Sequence, residues 1–255
     1  MKQQSYQDPR PAEHFAPFHE RTRGHRPNWV YELVRLVLLP YLLVFYRARV
    51  IDSNLVPVSG AAIVAPNHFS FLDHFFVAVY VRRKIHFMGK SQLFRRPMEW
   101  IYSPGGVFPI RRGHRDDEAF KIAHAVLDRG GVVVMYAEGG RSRTGELGEP
   151  RSGIGRLALE SGAPVVPAAI AGTARVRNWR RLEFPKVTVQ YDDPIRFDRV
   201  EAPTREQAQA AAGEIFERVR SLYGNLREGG RRQAVKAARA ARRAGAATSR
   251  RPATE

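Results

Sequence analysis

Two adjoining stretches decide the fold: Ala61-Ala62-Ile63-Val64-Ala65-Pro66 and, directly after it, Asn67-His68-Phe69-Ser70-Phe71-Leu72-Asp73. The first is a short, continuous apolar run, which is typical of a buried strand. The second forms a loop with polar side chains, and the apolar residues 73–82 that begin at its end favour a helix. A buried strand that leads through a polar loop into a helix is the repeating unit of an α/β sheet.

The same alternation continues along the middle of the chain. Further strand-like runs lie at residues 85–88, 107–110, 131–137, 165–170 and 187–191, and helical stretches lie at residues 115–129, 154–161 and 204–223. We therefore predict one α/β domain at residues 49–225, with a mixed, mostly parallel sheet covered by helices. The loops that follow the strands are where such a sheet carries its chemistry.

Residues 28–48, ahead of this domain, form a strongly apolar segment. Its uncharged part, residues 36–46, covers about half of the ~30 Å hydrocarbon core of a membrane. Because Pro40 interrupts it, we predict two short helical pieces that lie in or against a membrane interface. A buried helix of a soluble domain is the alternative. Side chains typical of an interfacial anchor flank the segment, namely Trp29, Tyr31, Tyr41, Tyr46, Arg47 and Arg49.

Charge and composition restrict the partners. The 255 residues include 42 basic and 25 acidic side chains, a formal net charge of +17, which predicts an anionic partner: nucleic acid, an acidic membrane surface or a phosphorylated substrate. Residues 1–27 form a polar arm without a secretory signal, and residues 226–255 form a basic tail, expected to be solvated or lipid-facing. The absence of cysteine excludes disulfides, thiolate nucleophiles and zinc ribbons.

The loop after the first strand contains a candidate general base. A carboxylate beside a histidine fixes the tautomer of the ring and stabilises the imidazolium that forms, and His68 and Asp73 are close enough in sequence to meet. Alternatively, Ser70 and Asp73 form a capping box at the start of the helix, and His68 is an ordinary loop residue. His74 has no third ligand at a useful spacing, so no metal site is predicted.

Two later loops contain candidate anion-binding groups. Two glycines at 105 and 106 open a short strand that delivers Arg111 and Arg112 to its far end, and arginine suits a phosphate. After the strand at residues 131–137 comes Glu138-Gly139-Gly140-Arg141, whose glycines let the backbone approach a ligand closely. The alternatives are a solvated strand end and an ordinary glycine-rich turn.

Five motifs, taken in order, resemble the glycerolipid acyltransferase family, and within it the bacterial 1-acyl-sn-glycerol-3-phosphate acyltransferases. They are N-H-x-S-x-x-D at 67–73, K-S-Q-L-F at 90–94, G-G-V-F-P-I-R at 105–111, E-G-G-R-S at 138–142 and V-V-P-A-A-I at 165–170. The resemblance covers about residues 50 to 195. In two places the chain departs from the family: its usual F-P-E-G-T-R-S is here Y-A-E-G-G-R-S, and Gln92 stands where glutamate is common.

The resemblance implies roles for particular side chains. His68 and Asp73 correspond to the catalytic pair, and the residues expected to bind the phosphate-bearing acceptor are Lys90, Arg111, Glu138, Gly139 and Arg141. The implied reaction transfers a fatty acyl group from acyl carrier protein or coenzyme A to the free hydroxyl of 1-acyl-sn-glycerol-3-phosphate. Its product is phosphatidic acid, made for phospholipid biosynthesis, and no metal or cofactor is implied beyond the thioester co-substrate.

The expected partners are therefore the thioester of acyl carrier protein or coenzyme A, a lysophospholipid and an anionic membrane surface. We expect a peripheral or monotopic protein at the cytoplasmic face of the cell membrane. Two alternatives remain open: an enzyme of the same family that uses another lysolipid acceptor, and a basic protein that binds nucleic acid. The second lacks any recognition-helix, zinc-finger or RNP-like pattern, so no specific nucleic acid is expected.

Overall fold

A computed structural model describes residues 8–111, 117–142, 144–177 and 183–248 of the chain. Its centre is a sheet of seven strands in the order β1-β7-β6-β2-β5-β3-β4. All neighbours are parallel except β6 and β7, so five strands point one way and the edge pair β1 and β7 points the other. The strands are β1 (Arg49–Ile51), β2 (Ala62–Pro66), β3 (His86–Lys90), β4 (Val107–Ile110), β5 (Val132–Val134), β6 (Val165–Ala171) and β7 (Thr188–Tyr191).

The mixed, mostly parallel sheet confirms the predicted fold class. Every predicted strand is present, with bounds that differ by up to three residues, whereas the three-residue edge strand β1 was not predicted. The eight α-helices of the described residues are α1 (Ala16–Gly24), α2 (Trp29–Val44), α3 (Asp73–Ala78), α4 (Glu99–Tyr102), α5 (Asp117–Asp128), α6 (Ser152–Ser161), α7 (Arg205–Glu228) and α8 (Gly230–Thr248).

Helices cover both faces of the sheet because the strands alternate their side chains. In β2, Val64 faces a core shared with Leu42 of α2 and Phe76 of α3. Its neighbour Ile63 faces the opposite core, which is built with α5, α6 and α7. All of these side chains are fully buried, and each large one contributes about 1.5–3 kcal/mol by leaving water. The central strands therefore have no polar face, and chemistry is confined to their ends.

The prediction of two helical pieces broken at Pro40 is wrong. Residues 29–44 form one α-helix that continues through the proline. The reason is the place of the proline in the helix: its ring is exposed, and so is the side chain of Leu36, at 71%. The carbonyl that loses its donor therefore lies on the outer side, where the loss costs little. Among the described residues, no helix combines the length and apolar composition needed to cross a membrane.

Both ends of the chain contribute to the packed structure. The arm predicted to be polar contains α1, which packs against α5 and β4, with Phe15 fully buried beside its first turn. The tail, expected to be a solvated or lipid-facing arm, forms α8, most of whose described side chains are exposed. On its inner side, Ala234 shares a buried cluster with Leu222 and Leu226 of α7, and the helix contacts the edge strand β1. Residues 249–255 lie outside the described residues.

Arg231 joins α8 to the sheet edge. Its guanidinium donates to Thr188 Oγ1 at 2.9 Å, to the carbonyl of Val187 at 2.6 Å and to the carbonyl of Arg47 at 2.7 Å. Burial lowers the pKa of this arginine, and the nearby charges of Arg49 and Arg47 lower it further. The tail is thus attached by directed hydrogen bonds as well as by apolar contact.

We predict that Arg231→Ala lowers the free energy of unfolding by about 1.5–3 kcal/mol, because three acceptors lose a charged donor. Arg232→Ala is the matched control. It removes the same charge from an exposed neighbour and should change stability by less than about 0.5 kcal/mol. Urea unfolding of both variants measures the difference. Equal stability of the two variants would contradict the attachment of α8 to the sheet.

Candidate active site

The predicted site residues lie at the carboxyl ends of four neighbouring strands. His68 lies in the loop after β2, Lys90 is the last residue of β3, Arg111 follows β4 directly, and Glu138 lies in the loop after β5. These four strands are parallel and adjacent, so their carboxyl ends lie side by side. This edge is where open α/β sheets bind ligands.

His68 and Asp73 form a buried hydrogen-bonded pair. The Nδ1 of His68 lies 2.8 Å from Oδ2 of Asp73, and both side chains are almost fully buried. Because a carboxylate only accepts, Nδ1 carries the proton, and Nε2 of the neutral ring carries the lone pair. The pair therefore has the tautomer and the orientation that a general base needs.

Asp73 also organises the loop that carries His68. Its Oδ2 accepts from the backbone N–H groups of Phe69 and Ser70, each at 2.7 Å. The full capping box is not formed, because Ser70 Oγ accepts from Leu72 N rather than from Asp73 N. The carboxylate thus has two tasks: it folds the loop and it orients the imidazole.

Asn67 fastens the start of the same loop to the neighbouring strand. Its side chain accepts from Ile170 N at 2.7 Å and donates to Ile170 O at 3.1 Å, both on β6. Sequence analysis gave this residue no role. An amide side chain directly after a buried strand was the available signal, since a buried polar group there needs partners.

Glu138 holds the loop from the other side. Its two carboxylate oxygens accept from His68 N at 3.0 Å and from Gly148 N at 3.1 Å, while Ser142 N donates to His68 O at 2.8 Å. Burial raises the pKa of Glu138, and the two N–H donors oppose that rise. Both backbone groups of His68 are therefore bound to the loop after β5.

Two further aromatic rings lie against the imidazole of His68. Tyr136 stacks on it, with ring centroids 3.9 Å apart and planes 18° from parallel, and His74 contacts it edge-on at 5.2 Å. The Nδ1 of His74 donates to Phe71 O at 3.0 Å. The pKa of His74 is lowered to about 4, mainly by burial and in smaller part by electrostatic repulsion from His68. His74 is therefore neutral at physiological pH, and sequence analysis missed both contacts.

The cationic residues lie at the ends of the neighbouring strands and in the loop after β5. Arg141 is exposed, yet its charge reaches His74. Lys90 and Arg111 are half-buried at the ends of β3 and β4, and Arg112 lies outside the described residues. Gly139 has a φ of +65°, and a Cβ there would approach Arg151 Cδ to 2.6 Å, so the turn needs glycine. In the described ranges, no group of three metal-binding side chains is present.

The sequence of this chain is similar to those of known acyltransferases. The Acyltransferase family model matches residues 47–171, which span β1 to β6 and every predicted site residue. The chloroplastic 1-acyl-sn-glycerol-3-phosphate acyltransferase of Arabidopsis thaliana is 29% identical over 136 residues, covering 52% of this chain and 38% of that protein. The 1-acyl-sn-glycerol-3-phosphate acyltransferase of Cocos nucifera is 25% identical over 202 residues, covering 66% and 63%.

A solved structure shares the fold. The 1-acyl-sn-glycerophosphate (LPA) acyltransferase PlsC from Thermotoga maritima superposes with a TM-score of 0.57 at 19% identity, covering 84% of this chain and 90% of that one. The chain is therefore similar to acyltransferases in the sequence of residues 47–171, and it shares the fold of a solved member of that class. It spans less than two fifths of the Arabidopsis relative and of a Brassica napus relative that it matches.

We predict that Asp73→Asn separates the two tasks of the carboxylate. The amide oxygen can take the place of Oδ2 and keep the loop amides bound, but the negative charge that stabilises an imidazolium is lost. Turnover should fall ~10²–10⁴-fold, while stability changes by about 1 kcal/mol or less. Thermal melts and turnover per folded molecule measure both. Asp73→Ala should lose both turnover and stability. Full turnover in Asp73→Asn would show that the carboxylate only shapes the loop.

Tyr136 offers a test of the stacked ring. Tyr136→Phe keeps the stack and removes a buried hydroxyl that has no hydrogen-bond partner among the described residues, so turnover should stay within about threefold. Tyr136→Ala removes the stack and leaves a cavity, and should cost about 3–5 kcal/mol of stability and at least about tenfold in turnover. If both variants lose turnover equally, the hydroxyl rather than the ring supports His68.

Proposed function

We propose that this protein transfers a fatty acyl group from the thioester of acyl carrier protein or coenzyme A to the free hydroxyl of 1-acyl-sn-glycerol-3-phosphate. The product is phosphatidic acid. One observation carries the proposal: the 2.8 Å contact between His68 Nδ1 and Asp73 Oδ2 at the carboxyl ends of the strands, in a region that matches the Acyltransferase family model. Relatives named 1-acyl-sn-glycerol-3-phosphate acyltransferases support the choice of acceptor.

The chemistry follows from the tautomer of His68. Its Nε2 removes the proton from the acceptor hydroxyl as the hydroxyl oxygen attacks the thioester carbonyl carbon, and Asp73 stabilises the imidazolium that forms. The tetrahedral intermediate then collapses: the C–S bond breaks, the new ester C–O bond remains, and the leaving thiolate takes the proton from His68. No acyl-enzyme is needed, in keeping with a chain that contains no cysteine.

Positive side chains around this edge suit the phosphate of the acceptor. Arg111, Arg141 and Lys90 are assigned to it, and Glu138 keeps the pocket in shape by holding the backbone of His68. The backbone amides of Gly140 and Arg141 are candidates for stabilising the oxyanion, whereas that of Gly139 already donates to Tyr136 O. Anchoring the phosphate also turns a collision between two substrates into a positioned, nearly intramolecular step.

The membrane is the source of the acceptor in this proposal. Helix α2 exposes a run of large apolar side chains and buries only Tyr31 and Leu42 within its length, which suits a helix lying in the interface of a leaflet. We assign the protein to the cytoplasmic face of the cell membrane, where anionic lipids attract a chain with a net charge of +17. The binding would be peripheral or monotopic.

Purified full-length protein in detergent, given labelled acyl-acyl carrier protein or acyl-coenzyme A and a panel of lysolipids, tests the proposal. Mass spectrometry should identify phosphatidic acid as the main product, and His68→Ala should form none while melting like the wild type. Acylation of a lysolipid with a larger head group instead would identify an enzyme of the same family with another acceptor. Absence of any acylated product with either donor would overturn the proposed function.

The arginines are predicted to act on the acceptor alone. Arg141→Ala and Arg111→Ala should each raise the KM for the acceptor about five- to tenfold or more, with little change in the KM for the donor. Lysine at either position should restore part of the loss, because a point charge cannot reproduce the fork of arginine. Arg196→Ala, which removes an exposed charge elsewhere, is the control. Equal effects on both substrates would remove these arginines from the acceptor pocket.

A further inference from the structure

A second apolar surface lies on the short helix α4, away from the His68–Asp73 pair. Met98, Trp100 and Ile101 are 41%, 62% and 42% exposed, so three large apolar side chains within four positions face outward. Arg95 and Arg96 precede them, separated from Met98 by Pro97, and the Arg96 guanidinium lies 5.9 Å from the ring centroid of Trp100. We call residues 95–101 the α4 surface. Sequence analysis placed no membrane contact there.

A groove borders the α4 surface on the side of α1. It has a volume of about 540 Å³, and Phe18 and Phe94, whose rings lie 5.1 Å apart, contribute apolar walls. Arg95 and Arg96 also line it, and Arg96 Nε contacts Glu99 at 3.5 Å. The groove therefore combines an apolar wall with a cationic rim, which suits an amphiphile that carries a negative charge.

The end of α4 lies close to the start of α2. Asn28 N, directly before α2, donates to Pro104 O, two residues after α4, at 3.0 Å. Trp29, the first residue of α2, is itself exposed. The apolar surfaces of the two helices thus begin and end beside one another.

We propose that the α4 surface inserts into the head-group region of an anionic phospholipid leaflet, with Met98, Trp100 and Ile101 toward the acyl chains and Arg95 and Arg96 on lipid phosphates. A leaflet suits this small patch better than a folded protein does. Stable protein interfaces bury about 1,200–2,000 Å² and need shape complementarity, whereas a bilayer needs neither. Tryptophan and arginine are typical of the membrane–water interface.

The second contact has a consequence for the reaction. A protein held by α2 alone can rotate about the axis of that helix, whereas contact through α4 as well fixes its orientation. The α4 surface leaves the sheet just after Lys90, at the edge that carries His68. Anchoring it therefore sets the height of that edge above the leaflet. The inference rests on the proposed function only in placing the acceptor in a bilayer.

The chain contains no cysteine, so Met98→Cys takes a single environment-sensitive fluorophore. Val58→Cys is the matched control, because Val58 is also a large exposed apolar residue, at 67%, but lies in a loop before β2. With vesicles of phosphatidylcholine and phosphatidylglycerol, the label at position 98 should shift to the blue and be quenched by brominated acyl chains. The label at position 58 should do neither. Equal behaviour of the two labels would overturn the proposal.

A label-free variant covers the case in which the fluorophore disturbs the patch. Trp29→Phe with Trp179→Phe leaves Trp100 as the only tryptophan, whereas Trp100→Phe with Trp179→Phe leaves Trp29 on α2. Quenching of both single tryptophans supports contact through both helices. Quenching of Trp29 while Trp100 remains open to iodide in water would show that only α2 meets the leaflet, and would overturn the proposal.

A third experiment tests the contribution of the two arginines. Arg95→Gln with Arg96→Gln should weaken binding to the anionic vesicles at least about fivefold, and Arg232→Gln with Arg239→Gln, an equal change of charge on α8, should weaken it clearly less. Equal losses would mean that net charge alone acts. Turnover on detergent-dispersed acceptor should stay within about twofold in both variants. If the wild-type protein forms no acylated product, the proposed function is wrong. The vesicle measurements test the membrane contact of the α4 surface independently of that result.

Discussion

The site depends on one buried oxygen, Oδ2 of Asp73, which accepts three hydrogen bonds. A carboxylate taken out of water is costly unless donors replace its hydration. Here two backbone N–H groups and the imidazole of His68 do so, and each of them belongs to the loop that the carboxylate must shape. Removing the whole carboxyl group would therefore release the loop and the ring together. The burial of Asp73 requires all three donors, so it also fixes the orientation of the His68 ring.

The other ties to this loop come from the strands on either side of β2. Asn67 binds both backbone groups of Ile170 on β6, and Glu138, after β5, binds the N–H of His68. Since β2 lies between β6 and β5 in the sheet, the loop that follows it is held from both sides. Glu138 and Asp73 are both buried carboxylates, but they differ in task. Asp73 is bound to the imidazole, whereas the partners of Glu138 in the described part of the chain are the backbone N–H groups of His68 and Gly148, so its charge is used to hold the loop.

Sequence patterns predicted what depends on neighbours along the chain and failed where distant contacts decide. Apolar runs of strand length located the central strands, and the spacing of His68 and Asp73 located the pair, because a loop of that size closes on itself. The stack of Tyr136 on His68 joins residues 68 positions apart, and only the pairing of β2 with β5 brings them together. The prediction at Pro40 failed for a similar reason. Whether a proline breaks a helix depends on whether the carbonyl four residues before it faces solvent or the core, and packing decides that.

Fewer positive side chains can contact an anionic ligand than the net charge of +17 suggests. Arg83 donates to the carbonyls of Pro57, Gly60 and Gly130, and Arg129 donates to those of Thr22 and Arg23. With Arg231, these side chains act as connectors between segments, and burial lowers the pKa of all three. Their charge still adds to the long-range field that draws the protein toward an anionic surface. Their guanidinium groups, however, are bound to backbone carbonyls, so direct phosphate contacts are expected from other cations, such as the exposed Arg141 beside the site and Arg95 on the α4 surface.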